Sequence, residues 1–277
     1  MYERRRNMKL AIVLSTHPAQ FEAATLKGDL TENLARIAEL GYDGVELAIR
    51  DPGLVNSDQL LKTIRSFGLE IPAIGTGQAW GEERLSYTDS DAAVRRAAIE
   101  RTKSHLPLAA QAGAFVIIGL IRGTLRPGVS REQANDWIAS ALQECSAAAF
   151  PLGVRLVVEP LNRYETALIN TAAEGLELLA RVGAPNLGLL LDTFHMNIEE
   201  PSIEDSIRLA GDRLLHFHVA DSNRWPPGGG HLDFRSLLAL LNDLGYTGYI
   251  SGEFLPVPDP LTAARSAITH LRAVLPR

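Results

Sequence analysis

The chain alternates between two hydrophobic patterns, and the alternation repeats eight times. Short apolar runs typical of buried strands are each followed by a longer run with the period of an amphipathic helix. The strand patterns fall at 9–14, 43–48, 70–75, 114–120, 154–159, 187–192, 214–219 and 249–253. The helical patterns fall near 30–40, 56–67, 90–112, 130–150, 171–182, 203–211, 233–244 and 260–274. Because strands joined through helices pair in parallel, this alternation predicts an α/β protein.

Two α/β architectures are compatible with eight such units, a closed (β/α)8 TIM barrel and an open doubly wound sheet. An open sheet that binds a nucleotide carries a glycine-rich turn that opens a phosphate-binding helix. The only candidate turn, IGTGQAW at 74–80, does not fit this pattern. The 277 residues show no break in composition, so we predict one TIM-barrel domain over 1–277, with 1–7 as a charged N-terminal arm.

Composition narrows the class of partner and the compartment. The formal net charge is −6, whereas proteins that grip a nucleic-acid backbone are usually basic. The single cysteine, Cys145, allows no internal disulfide and no cysteine-based zinc site. The apolar run 10–14 is too short for a secretory signal, and no run approaches the ~18 residues of a membrane span. We therefore expect a cytoplasmic protein that binds neither nucleic acid nor membrane.

Polar residues close four successive strand patterns in the second half of the chain. They are Glu159, Asp192, His218 and Glu253, separated by 33, 26 and 35 residues. A lone acidic residue at a strand end is usually a helix cap or a solvated loop residue, but four in step with the strand-helix repeat would meet at one rim of a barrel. Three carboxylates at one point repel each other unless a cation lies between them.

The pattern predicts one divalent metal ion. Oxygen and imidazole donors favour Mn²⁺, Mg²⁺ or Co²⁺, and Zn²⁺ is also compatible. His216 is expected deeper in the barrel, not as a fifth ligand.

The segments around these strand ends resemble a known family of enzymes. EPLNRYE (159–165), LDTFHMNIEE (191–200), HFHVADSNRWPPGGGHLD (216–233) and SGEF (251–254) are similar to the ketose 3-epimerases of the D-tagatose 3-epimerase type, in the xylose isomerase-like TIM-barrel superfamily. The resemblance covers nearly all of the chain. GTGQAW (75–80), IGLIRG (118–123) and EPLNRYET (159–166) are similar to the branch that interconverts 5-keto-L-gluconate and D-tagaturonate, the 5-keto-L-gluconate epimerases.

The resemblance implies a function and a role for each matching residue. It implies that Glu159, Asp192, His218 and Glu253 bind the metal, with Mn²⁺ the first choice, and that Glu159 and Glu253 also transfer protons. Glu165, His195 and Arg224 match the positions that hold the ketose oxygens. The expected reaction inverts C3 of a ketose or keto sugar acid through a metal-stabilised cis-enediolate, with one glutamate on each face of the sugar. A homo-oligomer, dimer or tetramer, is also implied.

A sugar acid would need a cation of its own, because three negative side chains already surround the metal. Arg122 directly follows the fourth strand pattern, and an arginine fork matches a carboxylate. We predict that Arg122 pairs with the substrate carboxylate, although a rim salt bridge is an equally good interpretation of the residue. Gln78 is a weaker candidate, and His17, also at a strand end, is expected to line the pocket. Trp80 and Trp225 are candidate apolar walls.

Other functions are compatible with parts of this pattern. An aldose–ketose isomerase or a keto-sugar dehydratase of the same superfamily would reuse the same metal and intermediate. An endonuclease IV-like DNA-repair enzyme would need a trinuclear zinc site and a basic face, which the charge and the single ligand set speak against. A non-catalytic sugar-binding protein would have no use for two glutamates on opposite faces of the sugar.

Overall fold

Eight parallel strands close into a barrel in the structure of this chain, a computed structural model that describes residues 8–18 and 21–276. The strands are β1 (Lys9–Ser15), β2 (Gly44–Ala48), β3 (Ala73–Gly75), β4 (Phe115–Ile118), β5 (Leu156–Val158), β6 (Leu187–Asp192), β7 (Leu214–Val219) and β8 (Tyr249–Gly252). Each strand pairs with its neighbour in sequence, and β1 also pairs with β8. This closure confirms the TIM barrel and excludes the open sheet. The predicted arm 1–7 lies outside the described residues.

Eleven α-helices surround the barrel in the described part of the chain. They are α1 (Leu30–Leu40), α2 (Ser57–Ser66), α3 (Gly77–Glu83), α4 (Ala92–Ser104), α5 (Leu106–Ala112), α6 (Arg131–Ala149), α7 (Ala172–Val182), α8 (Thr193–Glu199), α9 (Ile203–Ala210), α10 (Phe234–Asp243) and α11 (Pro260–Val274). Short 3-10 turns lie at Pro52–Leu54, Leu120–Arg122, Phe150–Leu152 and Gly211–Arg213. Between 8–18 and 21–276, no helix combines the length and the apolar character needed to cross a bilayer.

Some element boundaries differ from the sequence prediction. The helix expected at 90–112 is two helices, because Pro107 lies at the start of α5, where its missing N–H is tolerated. The short helices α3 and α8 were not predicted. Each has seven residues and directly follows a strand, so neither is long enough to show a helical period. The first of them begins inside IGTGQAW, which was expected not to open a phosphate-binding helix.

Apolar packing places the polar residues at one end of the barrel. The main core lies between the strands and the surrounding helices, whereas a smaller cluster of Ala73, Ile117, Val157 and Leu190 fills part of the barrel interior. The carboxyl ends of the strands then carry the polar side chains, as in other TIM barrels.

Candidate active site and metal centre

The structure brings the four predicted metal ligands together. Glu159 directly follows β5, Asp192 ends β6, His218 lies in β7 and Glu253 directly follows β8. One donor atom from each lies within 4.8 Å of the others. Glu159, Asp192 and His218 are buried, and the side chain of Glu253 is 13% exposed.

Three of these donor atoms lack hydrogen-bond partners although they are buried. They are Oε1 of Glu159, Oδ2 of Asp192 and Nδ1 of His218. The imidazole Nδ1 lies 3.9 Å from the Glu159 oxygen and 3.8 Å from the Asp192 oxygen. Leaving three polar atoms buried and unpaired is costly, and a cation bound among them would satisfy all three. The donor set therefore fits one divalent metal ion, with oxygen donors outnumbering nitrogen.

The electrostatics of the cluster point the same way. Burial, reinforced by Glu253 and Asp192, raises the pKa of Glu159 well above its usual range. Burial, with Asp192 and Glu46 adding to it, raises the pKa of Glu253 to about 7. For His218, burial disfavours the charged form, but Glu46, Glu253 and Glu159 outweigh it and raise the pKa of the imidazole. Negative charge is thus concentrated here, and a divalent cation would neutralise it.

Glu46 is a residue of the site that the sequence reasoning missed. It lies in the middle of β2, is buried, and its carboxylate accepts a hydrogen bond from Nε2 of His216 at 2.7 Å and from Nε2 of His218 at 2.9 Å. In the neutral imidazole, donation from Nε2 of His218 to Glu46 places the lone pair on Nδ1, which faces Glu159 and Asp192. A single carboxylate inside the apolar run GVELA was the available signal. His216 is fully buried and bonded to Glu46, as expected of a deeper barrel residue.

A cavity of about 300 Å³ opens beside the candidate metal ligands, three of which line it. Its volume is at the lower end of the range for small-molecule sites. Of the predicted site residues, Glu159, Glu165, His195, His218, Arg224, Glu253 and Gln78 line it. Trp80, Arg84, Thr76, Phe21 and Glu46 are among the other residues that contribute to its walls.

His195 presents an N–H group towards the ligands. Its Nδ1 lies 2.7 Å from the side-chain amide of Asn162 and also accepts from the backbone N–H of that residue at 3.3 Å. Burial, with Arg224 and His218 nearby, lowers the pKa of His195 well below its usual range, so the ring is neutral. Nε2 therefore carries the proton, has no hydrogen-bond partner and lies 3.7 Å from Glu159 Oε1. This N–H can donate to an oxygen of a bound substrate.

Arg224 bridges two carboxylates at the edge of the cavity. One guanidinium nitrogen donates to Glu165 at 2.9 Å and another to Glu253 at 3.4 Å. Its backbone is left-handed, with φ +62, an uncommon conformation for a side chain of this size. Asp221 maintains the turn, because its carbonyl accepts the Arg224 N–H at 2.8 Å and its carboxylate accepts from backbone N–H groups of Ser222, Gly228 and Leu232.

Two predicted substrate contacts lie elsewhere. Arg122 is 0% exposed and donates to the carbonyl oxygens of Gly119, Leu168 and Ile169 at 3.0 to 3.1 Å. His17 has Nδ1 within 2.9 Å of Thr16 Oγ1. Neither residue lines the cavity, so we do not retain them as substrate contacts. Of the two tryptophans suggested as walls, Trp80 lines the cavity and Trp225 does not.

Comparison with known proteins gives this site a family. Residues 34–274 match the family described as xylose isomerase-like TIM barrel. The chain belongs to this family. It is 35% identical to D-psicose 3-epimerase of Agrobacterium fabrum over 78% of the chain and 76% of that protein. It is 29% identical to 3-dehydro-D-guloside 4-epimerase of Escherichia coli over 88% of the chain and 94% of the relative. The crystal structure of D-allulose 3-epimerase from Methylomonas superposes with a TM-score of 0.83 at 26% identity, covering 97% and 98% of the two chains.

These relatives confirm the predicted class within the xylose isomerase-like family. The chain is an isomerase of the carbohydrate-epimerase type, grouped with ketose 3-epimerases and keto-sugar epimerases.

Proposed function

We propose that this enzyme inverts C3 of a ketose or keto sugar acid, of the 5-keto-L-gluconate and D-tagaturonate type. The observation that carries the proposal is the pairing of Glu159, after β5, with Glu253, after β8. Their oxygens share one cluster with Asp192 and His218, at a cavity of about 300 Å³. The pKa of each is raised above its usual range by burial, that of Glu253 to about 7, which suits carboxylates that exchange protons with a substrate.

The side chains around the cavity divide the work. One glutamate takes the C3 proton and the other returns a proton on the opposite face, which inverts the centre. His195 donates its Nε2 proton as a hydrogen bond to a sugar oxygen, and Arg224 holds both Glu165 and Glu253 in place. A divalent ion held by Glu159, Asp192, His218 and Glu253 would supply Lewis acidity for the carbonyl group. We propose Mn²⁺ first, with Mg²⁺, Co²⁺ and Zn²⁺ as competitors.

The test is product analysis by NMR with enzyme loaded in turn with each of these metals. The substrates are neutral ketohexoses, ketohexose phosphates and keto-hexuronates. We expect C3 epimers as products and, in D₂O, deuterium incorporated at C3. An aldose would identify an aldose–ketose isomerase, loss of water a dehydratase, and inversion at C4 the activity named for the Escherichia coli relative.

Glu159→Gln and Glu253→Gln separate catalysis from binding. Each is expected to lower turnover by about 10²- to 10⁴-fold, the contribution of general acid–base catalysis. Metal content must be measured for both, because each residue is also a proposed ligand. If both variants retain turnover with full metal occupancy, the proton-transfer roles are wrong. Sedimentation of the same preparations tests the dimer or tetramer that the resemblance implies.

A further inference from the structure

Arg84 occupies a backbone position that normally favours glycine. It ends α3 in the left-handed region at φ +60, with its N–H bonded to the carbonyl of Trp80. Where other helical segments of this chain end in the same conformation, the residue is glycine, as at Gly41, Gly113, Gly153 and Gly183. Glycine adopts this conformation without the steric strain that an arginine meets. A strained residue at a pocket wall is often retained for function.

The Arg84 side chain lines the same cavity as the candidate metal ligands, yet no carboxylate neutralises it. Its guanidinium lies over the ring of Trp80, 5.1 Å from the centroid. The adjacent acidic residues are paired with other arginines, Glu82 with Arg50 at 3.0 Å and Glu83 with Arg101 at 2.9 Å. Among the described residues, 8–18 and 21–276, Arg84 has no ion pair, whereas Arg224, the other arginine lining the cavity, is bonded to Glu165 and Glu253.

The same wall carries further polar atoms without partners. Gln78 and Trp80 both line the cavity. The Oε1 atom of Gln78 and the Nε1 atom of Trp80 are buried and have no hydrogen-bond partner. Buried polar groups are nearly always satisfied, so a polar ligand at this wall would complete them. The wall formed by α3 therefore offers two donors, the Arg84 guanidinium and the Trp80 indole N–H, and one acceptor, the Gln78 amide oxygen, because the amide nitrogen already donates to Ser15.

We propose that Arg84 is a specificity-determining residue that binds an anionic end group of the substrate, a carboxylate or a phosphate. The inference rests on the proposed function and narrows its substrate class to charged ketoses. An anion cannot lie beside Glu159, Asp192 and Glu253 without strong repulsion, so it must lie towards a separate cation. Arg84 is that cation, braced by Trp80, with a fork that matches either anion bidentately. It takes the role that the sequence suggested for Arg122.

The experiment measures kcat/KM of the metal-loaded wild type, Arg84→Gln and Arg84→Gly. The three substrates are a neutral ketohexose, a ketohexose 6-phosphate and a keto-hexuronate. For both variants, we expect the ratio of charged to neutral kcat/KM to fall about 10- to 100-fold, as for one lost charge-assisted contact, mainly through KM. The wild-type preference between phosphate and uronate identifies which anion is bound.

Arg84→Gly provides a second readout, because it removes the strain together with the side chain. Its Tm is expected to equal or exceed that of the wild type while selectivity is lost, which a merely structural arginine would not produce. The control is Arg208→Gln, which removes an exposed arginine paired with Asp205 on α9 and should leave the ratio unchanged.

If the ratio of charged to neutral kcat/KM is unchanged in both variants, the role of Arg84 is wrong. The proposed function still holds in that case if the wild type inverts C3. If the wild type turns over none of the three sugars, the proposed function fails instead. Calorimetric titration with the keto-hexuronate then decides the inference. Weaker binding by Arg84→Gln supports it, and equal binding contradicts it.

Discussion

The carboxylate of Glu46 on β2 accepts the Nε2 hydrogen of His218 on β7 at 2.9 Å, on the opposite side of the imidazole from Glu159 and Asp192. Carboxylates that orient a metal-bound histidine typically contribute 10- to 100-fold in metal affinity. We expect Glu46→Gln to weaken Mn²⁺ binding by about that factor, measured by competition with a chelator. Glu70→Gln, which alters an exposed carboxylate paired with Lys9, is the control and should bind Mn²⁺ normally. Equal affinity in both variants would show that Glu46 does not position His218.

Metal binding should depend on pH in a direction set by the raised pKa values. Burial, with Asp192 and Glu46, raises the pKa of Glu253 to about 7, and the pKa of Glu159 is raised as well. Protons therefore compete with the metal as the pH falls through about 7, because the ligands bind a cation only when deprotonated. Calorimetric titrations from pH 8 to pH 6 should show affinity falling with pH and protons released on binding. An affinity independent of pH across this range would contradict the assignment of these carboxylates as ligands.

Asp221 should matter for catalysis although it does not line the cavity. Its carboxylate accepts hydrogen bonds from three backbone N–H groups in the turn that carries Arg224. The turn packs closely around this carboxylate, since a Cβ on Gly230 would come within 2.2 Å of it. Asp221→Asn keeps the size but removes the charge that all three donors share. We expect kcat/KM to fall by about 10-fold or more, because small misplacements of substrate-positioning groups are costly. Hydrogen exchange in 221–233 should quicken. Unchanged exchange with full activity would show that the turn needs no such anchor.

Arg122 is predicted to contribute to stability and not to selectivity. Its fully buried guanidinium satisfies three carbonyl oxygens, including those of Leu168 and Ile169 in the segment after β5. Arg122→Met leaves the carbonyl of Leu168 without a donor, at a cost of about 1–3 kcal/mol, whereas Gly119 and Ile169 each keep a backbone N–H donor. Urea denaturation should show a loss of about 1–3 kcal/mol in the free energy of unfolding. The preference between charged and neutral ketoses should match the wild type. A stable variant with altered preference would return Arg122 to the substrate site.

The sequence predicted the barrel because each of the eight units repeats the same two patterns, an apolar run typical of a buried strand and a longer run with a helical period. It also predicted that Glu159, Asp192, His218 and Glu253 lie together, since each lies at or near a strand end and strand ends converge at one rim. Glu46 was not predicted because it lies in the middle of a strand. Its hydrogen-bond partners, His216 and His218, are on β7, far away in the sequence. Arg122 was misplaced for a related reason. Its position after β4 is at the rim, but its side chain turns into the protein, towards carbonyls of a loop 46 residues away.

Arg84 could not have been recognised from the sequence either. Its significance depends on a left-handed backbone, on a short helix without a visible period, and on neighbouring acids already paired with other arginines. Each of these facts belongs to the three-dimensional arrangement. Local sequence patterns report strand and helix periods, whereas the pairing of charges across loops depends on the complete fold.

The most direct test of the central claim is a crystal structure of the Mn²⁺-loaded enzyme with anomalous diffraction at the manganese edge. The account predicts a single anomalous peak at coordination distance from Nδ1 of His218 and from carboxylate oxygens of Glu159, Asp192 and Glu253. A peak among Glu46, His216 and Nε2 of His218 instead, or no peak in crystals of active enzyme, would contradict it.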